Sequence, residues 1–253
     1  MSRFSNHFAP FVFAFTLAAL PSGSIFAQEA SKPLIGVVEL YTSQGCSSCP
    51  PADAALETLI DRGDILGLAF HVPYWDYLGW KDTLATPEHE VRQRSYAQSF
   101  RAQSVYTPQA VINGREHLVG SRAGEIATKL AYHSNQNTGL TVPVQMMKKG
   151  DRIHVTVSED TGFTGQDVKL VMVYYNKQID VEIKRGENTG KNISYRNAVT
   201  ATHSIGMWSG KKMEIEIPYA ELATKNANGG AVLLQAVSAN GLPGAILGAA
   251  ILP

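Results

Sequence analysis

Two cysteines, Cys46 and Cys49, are the residues of this chain best suited to chemistry, and they are its only cysteines. They follow a β-branched and aromatic stretch, residues 37–41, that predicts a strand. They precede apolar residues at helical spacing from Ala52 onward. The pair is therefore expected at a strand-to-helix junction. Free backbone N–H groups and the helix dipole at such a junction stabilise a thiolate, the reactive form of the side chain.

The spacing of this pair admits disulfide exchange, metal binding or an inert structural disulfide. A disulfide across so short a loop removes little entropy from the unfolded chain, so stability is a poor reason for it. In C-x-x-C oxidoreductases the first cysteine attacks and the second resolves the mixed disulfide. Cys46 would then be the nucleophile and Cys49 the resolving residue. The alternatives are a module that holds Cu(I) through both thiolates, with or without His71, and a binding scaffold without turnover.

Two further stretches are expected near the cysteines. His71 ends a second predicted strand, residues 65–72, and either assists the thiols, binds a metal or is structural. In the aromatic stretch at residues 73–82, Trp75 either lines a substrate groove or packs under a loop. Asp76 either orients His71 or caps the turn. Five more histidines show no metal-ligand spacing and are predicted at the surface: His89, His117, His133, His154 and His203.

The remaining elements predict two parts with different secondary structure. A helix from Pro87 to about residue 100, a hairpin over residues 109–119 and a helix at 124–132 complete an α/β part. From residue 138 onward, short alternating strands separated by turn residues predict an all-β sandwich. The eight strands are expected at residues 142–147, 153–158, 168–175, 179–184, 198–203, 213–217, 231–237 and 246–252. The predicted domains are residues 28–137 and 138–253, after a leader at 1–27.

That leader has the layout of a secretory signal peptide. Arg3 precedes an apolar run over residues 8–20, and a polar stretch leads to Ala27, after which cleavage is expected. The run is shorter than the roughly 20 residues that span a bilayer, so stable membrane insertion is not expected. The sequence therefore predicts a periplasmic or secreted protein.

Charge and composition limit the classes of partner. The chain has 253 residues with 22 basic and 22 acidic side chains, and its apolar fraction of 44% suits a packed globular protein. A net charge near zero gives no electrostatic case for binding nucleic acid or an anionic membrane. The expected partners are protein or small-molecule thiols and disulfides, and exchange between them needs no bound cofactor.

Four stretches of the sequence resemble one family of exported proteins. The run ELYTSQGCSSCPPAD, residues 39–53, is similar to the signature of a secreted thioredoxin-like family known as domain of unknown function 1223. The stretches at 74–82, 106–109 and 185–191 match the same family. The resemblance implies an α/β thioredoxin-like domain, and the all-β sandwich-like domain predicted from the strand pattern would follow it.

The resemblance also implies roles for residues away from the cysteines. Pro108 takes the place of the cis-proline that faces the cysteine pair in the thioredoxin fold. Thr107 and Tyr106 before it would present backbone to a substrate, with Trp75 and His71 nearby. Glu39, seven residues before Cys46, takes the place of the buried acid that moves a proton to or from the second cysteine. Its alternative role is that of a structural acid in the strand.

Overall fold

An eight-stranded mixed sheet carries most of the secondary structure of the chain. The computed structural model describes residues 1–2, 32–165 and 167–253, so the expected signal peptide lies almost wholly outside the described residues. Residues 32–253 form one unit. None of the helices in the described ranges is long and apolar enough to cross a membrane.

The first part of the chain supplies four strands and three helices, close to the bounds predicted from the sequence. The hairpin strands begin and end at the predicted residues, and the first helix begins two residues earlier because prolines fit its first turn. These elements are β1 (Gly36–Thr42), α1 (Pro50–Asp61), β2 (Ile65–His71), α2 (Pro87–Ser99), β3 (Gln109–Ile112), β4 (Glu116–Val119) and α3 (Ala123–Asn135).

The second part supplies seven strands and a short helix rather than the eight strands predicted. Two predicted strands are one long strand, because the polar residues between them, Asn176 and Gln178, stay in register with the partner strand. The elements are β5 (Val144–Lys149), β6 (Arg152–Val157), β7 (Asp167–Glu182), β8 (Asn192–Trp208), β9 (Met213–Pro218), α4 (Glu221–Thr224), β10 (Gly229–Val237) and β11 (Pro243–Ile251).

The order of the large sheet is β11-β10-β7-β8-β2-β1-β3-β4, and strands β5, β6 and β9 form a separate three-stranded sheet. Strands β1 and β2 are parallel, and Thr42 pairs with His71 at their carboxyl ends. Paired residues of parallel strands point to the same face, so these two side chains lie together at one edge of the sheet.

The two faces of β1 meet different helices. Val38 and Leu40 pack with α1 residues in one apolar cluster, which also takes in α3. Val37 and Tyr41 belong to a second cluster that contains Tyr96 of α2. Because side chains alternate along a strand, Glu39 faces the α2 side with Val37 and Tyr41. Thr42 faces the α1 side with Leu40.

The small sheet covers one face of the second part. Residues of β5, β6 and β9 share a third apolar cluster with β7, β10 and β11, so two sheets face each other there. Strands β7, β8, β10 and β11 nevertheless extend the sheet of the first part, through the pairing of Ala198 with Ala69. The chain is thus a mixed α/β structure with a large and a small sheet. The boundary expected after residue 137 falls between α3 and β5 and stays a prediction.

Candidate functional site

The two cysteines form a disulfide between the turn after β1 and the start of α1. The Cys46 N–H donates to Ser43, and the Cys49 N–H donates to the Cys46 carbonyl. Cys49 is the N-cap of α1, and its carbonyl accepts from Ala52 and Asp53. Cys46 is 3% exposed and Cys49 is fully buried, while the two intervening serines are exposed. Cys46 is therefore the cysteine nearer to solvent.

The loop that carries Cys46 is held from the second part of the chain. Asn188, buried in the loop between β7 and β8, donates from Nδ2 to the carbonyls of Gln44 and Cys46, each at 2.9 Å. Its Oδ1 accepts from Lys191 at 2.7 Å. Asn188 was not among the residues predicted for the site. The only sequence signal for Asn188 was the family motif that contains it.

Aromatic residues flank the same loop. A Cβ on Gly45 would come within 3.1 Å of the Cβ and the carbonyl oxygen of Trp75, so a side chain here would push Trp75 away from the cysteine loop. Trp80 Nε1 donates to Gln44 Oε1 at 2.8 Å, and Trp75 Nε1 donates to Thr107 Oγ1 at 2.7 Å. Tyr77 stacks on Trp75 and is 76% exposed. The aromatic stretch therefore fixes the cysteine loop and also offers an apolar surface beside it.

The Thr107–Pro108 peptide bond is cis. Pro108 lies on the cysteine side of the sheet, because the Gly120 position is flanked by Pro108 and by Ala52 in the first turn of α1. The Tyr106 carbonyl accepts from Gln93 of α2, and its hydroxyl meets His117 Nδ1 at 2.9 Å. Trp75 and Thr107 are thus brought together beside the cysteine loop.

His71 and Asp82 form a buried pair behind that loop. Asp82 Oδ2 accepts from His71 Nδ1 and from the Gln44 N–H, both at 2.8 Å. Burial opposes both charges, but the pairing outweighs it, so the pKa of His71 is raised and the pKa of Asp82 is lowered. Asp76 accepts from the Asp82 N–H and so caps the turn. It is Asp82, not Asp76, that orients His71.

Two predictions for histidines are corrected by burial. His71 was expected close to the substrate, with a structural role as an alternative, but its side chain is fully buried against the Tyr195 ring and does not contact solvent. His89 was expected at the surface, but it is buried and its Nδ1 donates to the His71 carbonyl at 2.9 Å. Burial lowers the pKa of His89 to about 4. Both histidines therefore lie in the buried region beneath the site and not on its surface.

Asp53 is the second acid near the cysteines. It lies in the first turn of α1 and is 7% exposed. Thr42 Oγ1 donates to Asp53 Oδ1 at 2.7 Å, whereas Asp53 Oδ2 has no hydrogen-bond partner among the described residues. Burial raises the pKa of Asp53 to about 7, although His71 and Thr42 act in the opposite direction. This carboxyl group therefore changes protonation close to neutral pH.

Glu39, which was predicted to move the proton of Cys49, is not brought to the cysteines. It is fully buried on the α2 face, where Arg92 Nε donates to its Oε1 at 2.7 Å and the Tyr96 hydroxyl donates to its Oε2. Gln235 of β10 joins Arg92 and Tyr96 in the same network. The alternation of the strand explains the difference, because Glu39 points away from α1. The geometry gives Glu39 the structural role that was its alternative.

Within residues 32–165 and 167–253, no group of three or more histidine, cysteine, aspartate or glutamate side chains is arranged to hold a metal ion.

Comparison with known protein families identifies the family of this chain. A model of the family described as protein of unknown function, DUF1223, matches residues 37–235. This match covers most of the sequence, and the chain therefore belongs to that family. A comparison with curated proteins found no match.

Two solved structures resemble the chain. A crystal structure of a protein from Agrobacterium tumefaciens is 39% identical to it and has a TM-score of 0.80, covering 88% of this chain and 96% of that one. HBP35 of Porphyromonas gingivalis is 14% identical with a TM-score of 0.60, covering 85% of this chain and 74% of that one. The second likeness concerns the fold alone.

Proposed function

We propose that this family member is an exported, thioredoxin-like thiol–disulfide oxidoreductase that exchanges disulfides through Cys46 and Cys49. The observation that carries the proposal is the placement of the disulfide. The only two cysteines of the chain are bonded across the first turn of a helix, with the first of them nearer to solvent. A purely structural disulfide in this position would close a very short loop and add little stability.

The different environments of Cys46, nearer to solvent, and Cys49, fully buried, suit them to different steps of the exchange. In the reduced protein, the Cys46 thiolate attacks a sulfur of a substrate disulfide and forms a mixed disulfide, and the other substrate sulfur leaves as a thiolate. The Cys49 thiol then loses its proton and attacks Cys46, which releases the second substrate thiolate. Two electrons pass from the cysteines to the substrate, and the two thiolates take up protons. Substrate oxidation is the same sequence in reverse.

The surface beside Cys46 suits a polypeptide substrate. Tyr77 and Trp75 present stacked rings, and Thr107 is fixed by Trp75 next to the cis peptide bond. An extended segment placed along Tyr106 and Thr107 would bring its cysteine toward Cys46 and its apolar side chains onto the rings. Protein disulfides are therefore the proposed substrate class, and an oxidising compartment outside the cytoplasm is the proposed location.

Trapping the mixed disulfide tests this function. Cys49→Ser should accumulate a covalent adduct with a disulfide-bonded model peptide through Cys46, because the resolving thiol is missing. Cys46→Ser is the matched control, in which the remaining thiol is fully buried and no adduct is expected. Mass spectrometry of the unreduced proteins distinguishes the outcomes. An adduct only in Cys46→Ser would reverse the two roles, and an adduct in neither variant would refute exchange.

A further inference from the structure

A group of buried polar atoms lies behind the cysteine loop without satisfied hydrogen bonds. Asp53 Oδ2, His71 Nε2 and the Tyr195 hydroxyl each lack a partner among the described residues. Buried polar groups are almost always paired, so several unpaired ones at one place need an explanation. Functional proton exchange is one such explanation, because the unpaired Oδ2 of Asp53 has lone pairs available to accept a proton.

The three residues meet at the start of α1 and belong to different elements: Asp53 to α1, His71 to β2 and Tyr195 to β8. Thr42, at the end of β1, donates to Asp53, and His71 pairs with Thr42 across the sheet. The His71 and Tyr195 rings meet edge to face, with centroids 4.6 Å apart. The unpaired atoms therefore belong to one cluster at the carboxyl edge of β1 and β2.

This cluster is connected to the cysteines on two sides. Asp53 follows Cys49 by four residues, and its N–H donates to the Cys49 carbonyl. Side chains four apart lie on the same helix face, and both of these are buried against the sheet. On the other side, Asp82 binds His71 and the Gln44 N–H at the start of the cysteine turn.

We infer that Asp53 is the base that accepts the proton of the Cys49 thiol, with His71 and Asp82 as the residues that position and stabilise it. This inference rests on the proposed function. It moves the proton-transfer role from Glu39, where the sequence placed it, to an acid on the cysteine side of the sheet.

The proton follows a balanced path. After the mixed disulfide forms on Cys46, the Asp53 carboxylate takes the Cys49 proton, directly or through one water molecule. The Cys49 thiolate then attacks Cys46, and the released substrate thiolate is protonated from solvent. A dithiol donor then reduces the Cys46–Cys49 disulfide and is itself oxidised to a disulfide. In that step Asp53 returns its proton to the departing Cys49 thiolate and is a carboxylate again for the next cycle.

The groups around Asp53 make this exchange possible near neutral pH. His71 and Asp82 face it as a hydrogen-bonded pair, which raises the pKa of His71 and lowers the pKa of Asp82, and the Tyr195 hydroxyl, whose pKa burial raises, lies against the same cluster. His89 contacts the cluster only through the His71 carbonyl, and burial keeps it neutral. The pKa of Asp53 at about 7 lets it serve as base and acid in turn.

The test separates the two chemical steps of a single turnover across pH 5–9. Asp53→Asn should leave the formation of the mixed disulfide on Cys46 unchanged. It should slow the resolution by Cys49 by about 10²-fold, and the rise of that rate near pH 7 should disappear. Asp61→Asn, the same change on the exposed side of α1, is the matched control and should behave like the wild type.

Each result bears on one claim. An unchanged resolution rate and pH profile in a folded Asp53→Asn overturns the role of Asp53. Failure of the wild type to form the mixed disulfide instead overturns the proposed function. If Asp53→Asn does not fold, carbon-13 NMR of the wild type decides. The Asp53 carboxyl should titrate at a different pH in the reduced and the oxidised protein, and an identical titration overturns the inference.

Discussion

Two buried acids on opposite faces of one sheet, Glu39 and Asp53, have different surroundings. Glu39 has both oxygens bonded, to Arg92 and Tyr96, and the pairing outweighs burial so that the pKa of Arg92 is raised. Asp53 has one oxygen bonded by a neutral hydroxyl and the other unpaired. The comparison shows that burial alone does not define a functional acid. Glu39 has a partner on each oxygen, whereas Asp53 has one unpaired oxygen and a pKa that burial raises to about 7.

Removing the charge of Glu39 should have the largest effect on stability. Glu39→Gln leaves the buried Arg92 guanidinium without its carboxylate, which should lower the free energy of unfolding by about 3–5 kcal/mol. The pH profile of exchange should not move, because this network faces α2. Denaturant unfolding and single-turnover rates measure the two quantities. A shifted pH profile with unchanged stability would return the proton-transfer role to Glu39.

Asp53→Asn, in contrast to Glu39→Gln, should raise the free energy of unfolding at alkaline pH. The folded-state pKa of about 7 lies above the ordinary value of about 3.9, so the folded state binds more protons between these values. The wild type therefore loses stability as the pH rises from about 4 to 7. The variant lacks this loss and should gain roughly 2–4 kcal/mol relative to the wild type between pH 4 and 8. Equal slopes of unfolding free energy against pH would contradict this result.

Asn188 extends the comparison to the second part of the chain. Asn188→Ala removes two buried hydrogen bonds to the carbonyls of the cysteine loop, which should cost about 1–3 kcal/mol. The looser loop should also change the rate at which Cys46 reacts with a disulfide. Lys184→Ala, an exposed change close to the same loop, is the control. If Asn188→Ala and Lys184→Ala give the same free energy of unfolding and the same rate of reaction at Cys46, the hydrogen bonds of Asn188 do not influence the cysteine loop.

The smallest effect is expected at the exposed surface. Tyr77→Ala should change the free energy of unfolding by no more than about 0.5 kcal/mol, because the side chain is largely in solvent. It should raise the KM for a polypeptide disulfide several-fold and leave the KM for a small disulfide unchanged. Tyr132→Ala, an exposed tyrosine on α3, serves as the control. Equal KM values for both variants would exclude Tyr77 from substrate binding.

Local patterns in the sequence were sufficient for the elements that carry the cysteines. The β-branched run before Cys46 and the apolar spacing after Ala52 predicted β1 and α1 closely, because both depend on neighbouring residues. The prediction of two separate strands in the region of β7 was wrong, because the continuity of this strand does not depend on neighbouring residues alone. Their polar middle is kept in the strand by pairing with β8, and pairing with a distant segment leaves no local pattern.

The site depended on distant contacts, and here the sequence was less informative. Glu39 and Asp53 are both acids close to the cysteines in sequence, and their environments differ through partners that are not their neighbours in sequence, such as Arg92 for Glu39 and Thr42 for Asp53. Asn188 lies more than 140 residues from the loop it holds, so its role has no local signature. The cysteine pair itself was recognisable from spacing because its chemistry depends on two residues in one short segment.

The reduction potential of the Cys46–Cys49 pair tests the central claim most directly. The oxidised protein would be equilibrated with dithiol–disulfide buffers over a range of potentials, quenched with an alkylating reagent and analysed by mass. If the pair exchanges disulfides, it should show a reversible two-electron transition between about −270 and −120 mV, the range of thiol–disulfide oxidoreductases. A disulfide that stays oxidised to below roughly −300 mV, as structural disulfides do, would contradict it.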